Sequence, residues 1–283
     1  MINKVVISTD CVCDLPQKLV EKYSIPLMYY YVQLGEARFQ DINEINSDSV
    51  LEYLSKGEKE VSTTCASVEE YREFFKKISE NDRKTVIHIT IADRVSMGYQ
   101  YATEAAESFA NVQVINSGKV SGAMGLFVLV AADLAQKGAT KDIILQRLQG
   151  LREQINCSFT MSSSQCRECN KKLNKVLIGL MEILTIHPII TLKNSSFSLA
   201  GLCFGNKERR AVRYINRRLR NKDKISDEIL FLVFAGCDYD VRMQIEEEAR
   251  KLINWKNVYV LRASATISCN SGAGTFGMAF LNK

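Results

Sequence analysis

Short β-branched runs alternate with longer amphipathic stretches through the first half of the chain, and this rhythm restricts the fold more than any other feature. Val5-Val6-Ile7-Ser8, residues 85–91 and Val112-Gln113-Val114-Ile115 read as buried strands. Helices are expected from Asp14 to about Tyr23, from Ser47 with Gly57 just past its end, from Ser67, and over about 96–110, 120–136 and 140–154. Asp14 and Pro16 suit a helix start, where a carboxylate meets free N–H groups and proline forfeits no bond. Ser67 with Glu70 has capping-box spacing, and Tyr71, Phe74, Phe75 and Ile78 share one face behind it. Strands separated by helices of this length form parallel βαβ units. The tyrosine-rich segment 26–34 is expected to be extended.

The second half has a different grain. A polar stretch at 162–175 leads into a helix through Leu184, and extended segments follow at 189–192 and 197–203. A basic helix is expected from about Lys207. Strands at 229–235 and 258–261 flank a helix over 240–253, and a last strand lies near 278–281. At roughly 150 residues per domain, 283 residues suggest two domains. The change of grain places them at 1–155 and 156–283. Hydrophobic residues make up 46% of the chain, enough apolar surface to offset the ordering entropy that keeps polar chains unfolded.

The longest apolar run, 122–132, falls far short of the ~20 residues that span a bilayer. Near the N-terminus only Val5-Val6-Ile7 separates Lys4 from Ser8-Thr9-Asp10, too little for a signal peptide. A cytoplasmic location is therefore expected, and with it free thiols for the nine scattered cysteines. Cys166 and Cys169 have CxxC spacing and Cys11-Val12-Cys13 lies elsewhere, but one such knuckle without a second is a poor zinc site. His88 sits in an apolar strand and reads as structural; His187 precedes a proline. Two histidines give nucleophilic or zinc hydrolysis little to build on. The GxGxxG match at Gly272–Gly277 leaves six residues after it (283 − 277), too few for a dinucleotide fold. It reads instead as a turn allowing close approach of another segment or an anionic ligand. With no adequate base, metal site or nucleotide loop, no enzyme activity and no cofactor are expected.

Residues 207–224 hold nine Lys/Arg against Glu208 and Asp223, a net of +7 in a chain whose total is +5. Arg210, Arg213, Arg217 and Arg220 recur at helical spacing and line one face. That face can be merely solvated, can dock an acidic partner or phosphate, or can bind nucleic acid.

Several segments taken in order resemble the DegV family. They are Thr9-Asp10 with Asp14-Leu15-Pro16, Ser62-Thr63-Thr64-Cys65-Ala66-Ser67, and Val95-Ser96-Met97-Gly98-Tyr99-Gln100-Tyr101-Ala102. Val114-Ile115-Asn116-Ser117, His187-Pro188-Ile189-Ile190 and the glycine-rich end continue the series. The resemblance implies an α/β fold of two domains, the N-terminal one with a mainly parallel Rossmann-like sheet and the C-terminal one with a mixed sheet. It further implies a tunnel between them for a long-chain fatty acid, and a possible role as the acyl-carrying subunit beside a separate fatty-acid kinase. Carried onto this chain, the carboxylate contacts fall on Thr63 and Ser96, with Thr64, Gly98, Asn270, Gly272 and Gly274 nearby.

Those positions suit the task physically. Ser96 stands where a helix begins and Thr63 precedes another helix start, so hydroxyls and free N–H groups can converge on an anion. This chain departs from the family pattern in several places. Ser96-Met97-Gly98 replaces Ser-Gly-Thr, Ala92 and Asp93 replace paired serines, Asn270 replaces a histidine, and Asn170-Lys171-Lys172-Leu173 stands for a Gly-Gly-Arg-Ile segment. Burying an acyl chain gains ~0.8 kcal/mol per CH₂, on the order of 10 kcal/mol gross, against about 1–3 kcal/mol for each lost head-group bond. Lipid binding is therefore expected to survive the departures. The alternative is a nucleic-acid-binding or regulatory module that uses the basic helix at 207–224.

Overall fold

The computed structural model describes residues 5–57, 60–161 and 186–283. The helix expected before Leu184, the Cys166/Cys169 pair and residues 170–173 lie outside the described residues.

The first half folds as β1 (Val6–Asp10), α1 (Gln17–Tyr23), β2 (Leu27–Met28), β3 (Tyr31–Leu34), β4 (Ala37–Gln40), α2 (Ser47–Ser55), β5 (Val61–Thr64), α3 (Val68–Ile78), β6 (Val86–Thr90), α4 (Gly98–Ala106), β7 (Val112–Asn116), α5 (Ser121–Gln136) and α6 (Lys141–Gln154). Strands β2-β1-β6-β7 form a parallel sheet in that order, as the alternation of strands and helices requires. The capping box at Ser67 and Glu70 is made reciprocally, and Asn46 and Thr140 cap α2 and α6.

Two expectations are corrected. Segment 26–34 is not one strand: it breaks at Tyr29-Tyr30, so that β2 joins the parallel sheet while β3 pairs antiparallel with β4 and β5 in a separate three-stranded sheet. The helix expected over 96–110 is confined to Gly98–Ala106, because the Val95 and Ser96 amides fold back onto the Ala92 carbonyl ahead of it.

The second half contains β8 (Ile155–Thr160), β9 (Ile186–Lys193), β10 (Ser196–Phe204), α7 (Lys207–Arg218), β11 (Ile225–Ala235), α8 (Tyr239–Leu252), β12 (Val258–Arg262), α9 (Ala265–Ser271) and β13 (Thr275–Asn282). Its six-stranded sheet runs β10-β9-β8-β13-β11-β12, antiparallel except for the β11–β12 pair. Asn194 and Ser195 turn the β9–β10 hairpin with φ of 48° and 62°, the left-handed conformation that a two-residue hairpin demands. The fold is α/β with a parallel and a mixed sheet.

Helix α5 joins the two. Its residues from Gly122 to Leu129 are buried all round, and they share one core with Ile87 and Ile89 of the parallel sheet and with Phe231 and Ala279 of the mixed one. A helix apolar on every face must be enclosed, and this one is.

A second link is polar. Asp14 and Asp41 are buried in the first half and reach the start of α9 in the second. Asp14 Oδ1 accepts the Ser264 N–H at 2.9 Å, while Asp41 accepts the Ala265 and Thr266 N–H groups at 2.8 Å each. Asp14 Oδ2 also accepts from the Ser121 hydroxyl at the head of α5. Burial pushes the Asp14 carboxyl up to about 7, with the Ser121 and Ser264 bonds opposing and the nearby Asp41 adding to the rise. The folded state thus keeps a proton that the unfolded chain releases near pH 3.8. That contribution to stability is fully present below the unfolded value and is lost as pH rises through about 7. Asp14→Asn is expected to flatten the fall in stability between about pH 4 and about pH 7, read from urea midpoints across that range.

Candidate functional site

A cavity of about 850 Å³ lies between the two sheets, bordered by β5, the 91–97 segment, the head of α5, β8, β9, β11, α9 and β13. Its volume falls within the range of about 300–1,000 Å³ usual for small-molecule sites. Most of its wall is apolar and includes Val120, Phe159, Ile190, Leu192, Val233 and Met278. Thr63, Thr64, Cys65, Ser96, Tyr30, Thr266, Asn270, Ser271 and Thr275 supply its polar surface. Arg94 is the one charged side chain among the described lining residues.

The polar groups come from both halves. Thr63 lies in β5 opposite Val32 of β3, where strand alternation turns it toward α9; the Asn270 Nδ2 donates to its hydroxyl at 3.0 Å. Asn270 also donates to the Thr266 carbonyl one turn earlier. Ser96 precedes α4, accepts the Gly98 N–H at 3.1 Å and lies 3.1 Å from the Tyr30 hydroxyl. Burial raises the Cys65 thiol, and a hydrogen bond with Ser96 opposes that rise. Thr266 Oγ1 and Ser271 Oγ are buried behind this surface and have no hydrogen-bond partner among the described residues.

Behind the hydroxyls is a buried network. Asp10 Oδ2 accepts from Tyr30 at 3.3 Å and from the Ile91 N–H at 3.1 Å, and Oδ1 accepts from Tyr71 at 2.7 Å and meets His88 Nε2 at 3.2 Å. The other ring nitrogen of His88 meets Ser8 Oγ at 3.0 Å. His88 therefore sits behind the wall and does not line the cavity. Burial, then the Asp10 charge, raises both the Tyr30 and Tyr71 hydroxyls well above the ordinary tyrosine value, so both remain proton donors.

The structure brings Thr63, Thr64, Ser96 and Asn270 together on the cavity. Gly98, Gly272 and Gly274 do not line it. A Cβ at Gly98 would stand 2.1 Å from the Tyr30 hydroxyl oxygen, so this glycine lets α4 close on the tyrosine pair. Gly272 and Gly274 take φ of 76° and 77°, and the Gly274 N–H bonds to the Ala235 carbonyl at 2.8 Å. The turn meets another segment of the chain. Asp93 is exposed and does not line the cavity; although burial opposes it, bonds from Ser195 and Asn116 hold its carboxyl below the usual range.

Arg210 also departs from expectation. It is only 4% exposed, donates to the Gly274 carbonyl at 2.9 Å and lies over the Phe276 ring. It cannot face a partner. Arg213, Arg217 and Arg220 are exposed, yet Arg213 and Arg217 donate to the Phe204 and Leu202 carbonyls of β10. Tyr30, Asp10, Thr266 and Ser271 were not singled out from the sequence as site residues. Thr9-Asp10 carried part of the resemblance without a role, and no periodicity announces a helix as short as α9.

The model of the DegV family, described as "Uncharacterised protein, DegV family", matches residues 4–283. The chain belongs to the DegV family. A DegV domain-containing protein of Halalkalibacterium halodurans is 22% identical over 281 residues, covering 99% of both chains. A fatty-acid-binding DegV family protein from Thermus thermophilus superposes with a TM-score of 0.85 at 22% identity, over 99% of this chain and 100% of that one. The Fatty Acid Kinase B3 protein of Streptococcus pneumoniae, solved loaded with linoleic acid, gives a TM-score of 0.82 at 16% identity, over 99% and 100% of the two chains. These likenesses establish the DegV fold for the chain.

Gly98→Ala is expected to displace Tyr30 from Ser96 and Asp10 and to lower stability by about 1–3 kcal/mol, measured by chemical denaturation. A variant as stable as the parent would show that the α4–Tyr30 approach has slack.

Proposed function

We propose that this protein binds a long-chain fatty acid, with the tail in the apolar cavity and the carboxylate among the hydroxyl and amide groups of Thr63, Thr64, Ser96 and Asn270. The observation that carries this reading is a largely apolar cavity of about 850 Å³ whose lining brings Thr63, Thr64, Ser96 and Asn270 together from both halves of the chain. The family and the ligands of its solved neighbours support it.

The chemistry favours a weakly held head and a strongly held tail. No lysine or histidine lies among the described lining residues, and Arg94 donates to Ser196 at 3.4 Å, so in this reading the carboxylate is met by neutral donors. Asp10 retains Tyr71, His88 and the Ile91 N–H if Tyr30 turns its proton toward Ser96. Ser96 is then free to donate into the cavity. Charge-assisted bonds of this kind contribute about 1.5–3 kcal/mol each, well below the tail's share.

In this reading the chain has no catalytic apparatus of its own and carries the acyl group to a separate kinase. Arg213 and Arg217 on α7, with Arg220 just past its end, would be the exposed cations offered to such a partner, and the division between the two halves would fall near residue 155, where α6 gives way to β8. The ligands of the solved neighbours are fatty acids, and nothing in them favours the basic helix as a nucleic-acid surface.

Native mass spectrometry of protein purified from bacteria, followed by lipid extraction, is expected to recover a bound fatty acid. Thr63→Val and Ser96→Ala are each expected to weaken rebinding roughly tenfold. Protein recovered empty under gentle conditions, or variants that bind like the parent, would contradict the assignment.

A further inference from the structure

Tyr30 stands between the polar end of the cavity and the buried Asp10 carboxylate. Its hydroxyl lies 3.1 Å from Ser96 Oγ and 3.3 Å from Asp10 Oδ2. We infer that Tyr30 is a positioning residue that turns the Ser96 proton into the cavity, and thereby selects head groups that only accept hydrogen bonds. This role rests on the fatty-acid reading and deepens it, because it names the property of the head group that the site recognises.

Hydrogen-bond capacity dictates the role. A serine hydroxyl has one proton to give and can accept two. The Gly98 N–H fills one acceptor position of Ser96 at 3.1 Å. When the Tyr30 proton fills the other, the Ser96 proton is left with the cavity or the Cys65 sulfur beside it, and sulfur is a weak acceptor. A carboxylate brought to Ser96 takes that proton. Aligned bonds then run from Tyr30 to Ser96 to the ligand, each polarising the next. With the Tyr30 hydroxyl removed, Ser96 is free to accept from a ligand as readily as to donate to it.

Asp10 permits the turn. The Tyr30 contact is the longest of the four that Asp10 receives. Carboxylate oxygens only accept, so His88 Nε2 carries the proton that meets Oδ1, and the Ser8 hydroxyl donates to Nδ1 at 3.0 Å. The Tyr71 hydroxyl and the Ile91 N–H complete the set at 2.7 Å and 3.1 Å. When Tyr30 swings its proton to Ser96, Asp10 keeps three donors and no buried charge is left bare. Tyr30 keeps its proton throughout, since burial and the Asp10 charge both oppose its loss.

The ring is held where the role needs it. Tyr30 is only 3% exposed and occupies the break between β2 and β3. Its N–H donates to Cys11 Sγ at 3.2 Å, and its carbonyl accepts the Asp41 N–H at 2.9 Å. Gly98 leaves the space for its hydroxyl, which a Cβ would fill. Backbone and ring are fixed; the direction of the proton is what remains free.

The test titrates lipid-stripped, full-length parent, Tyr30→Phe, Ser96→Ala and the double variant with palmitate and with hexadecanol. A carboxylate can only accept, whereas an alcohol can accept from Ser96 or donate to it. Tyr30→Phe is expected to weaken palmitate about tenfold and hexadecanol less than about threefold. On the Ser96→Ala background the same change is expected to cost palmitate less than about twofold, because its effect passes through Ser96. Gly98→Ala, which crowds the Tyr30 oxygen, is a second variant expected to lower the palmitate-to-hexadecanol ratio. Denaturation midpoints accompany each variant, and a residue that merely supported the fold would weaken both ligands alike. Equal losses for the two ligands, a Tyr30→Phe variant that binds palmitate like the parent, or an undiminished loss on the Ser96→Ala background would overturn the inference. Palmitate binding by the parent separates these outcomes from failure of the fatty-acid reading.

Discussion

The two carboxylates that receive the start of α9 are the constraint on which the rest of the site depends. Ser264, Ala265 and Thr266 direct their amides at Asp14 and Asp41, which belong to the first half of the chain. Free amides at a helix start need partners, and buried carboxylates need donors; each satisfies the other. The consequence is positional. With its first turn fixed in this way, α9 sets Thr266, Asn270 and Ser271 opposite Thr63 and Ser96, and one polar surface is assembled from parts about 200 residues apart. Ser47 and Ser268, 2.6 Å apart, tie α2 to the same helix.

The remaining wall follows from α5. Because that helix is apolar on every side, it can lie between the parallel and the mixed sheet, and its head at Val120–Ala123 forms part of the cavity. Asp10 acts one layer further back. Four donors converge on it, and it holds Tyr30 in place behind Ser96.

The architecture was readable because its signals are local: alternation of strands and helices in the first half, the capping box at Ser67 and Glu70, and the long apolar run at 122–132. Segment 26–34 was misread because a strand that changes sheets looks continuous in sequence; only the third dimension separates Met28 from Tyr31. Strand β5 and helix α9 were missed for want of periodicity, since Val-Ser-Thr-Thr and a seven-residue helix are both too short to show one. Thr63, Thr64, Ser96 and Asn270 were reached through the family resemblance, with helix starts as the physical argument, and Thr63 proves to belong to a strand. The glycines were selected as ligand neighbours, whereas Gly98 admits a tyrosine and Gly274 a backbone partner. Arg210 failed for a related reason. Its spacing joins it to Arg213 and Arg217, but it also lies one turn from Tyr214 on the buried face of α7, where the Gly274 carbonyl and the Phe276 ring receive it.

The account makes the apolar tail the main source of affinity and the neutral polar cluster the means of orientation. The most direct test is a series of straight-chain fatty acids of increasing length titrated against one preparation. Affinity should rise about fourfold for each added CH₂ until the cavity is full, then level off or fall. Affinity that does not change with chain length would contradict it.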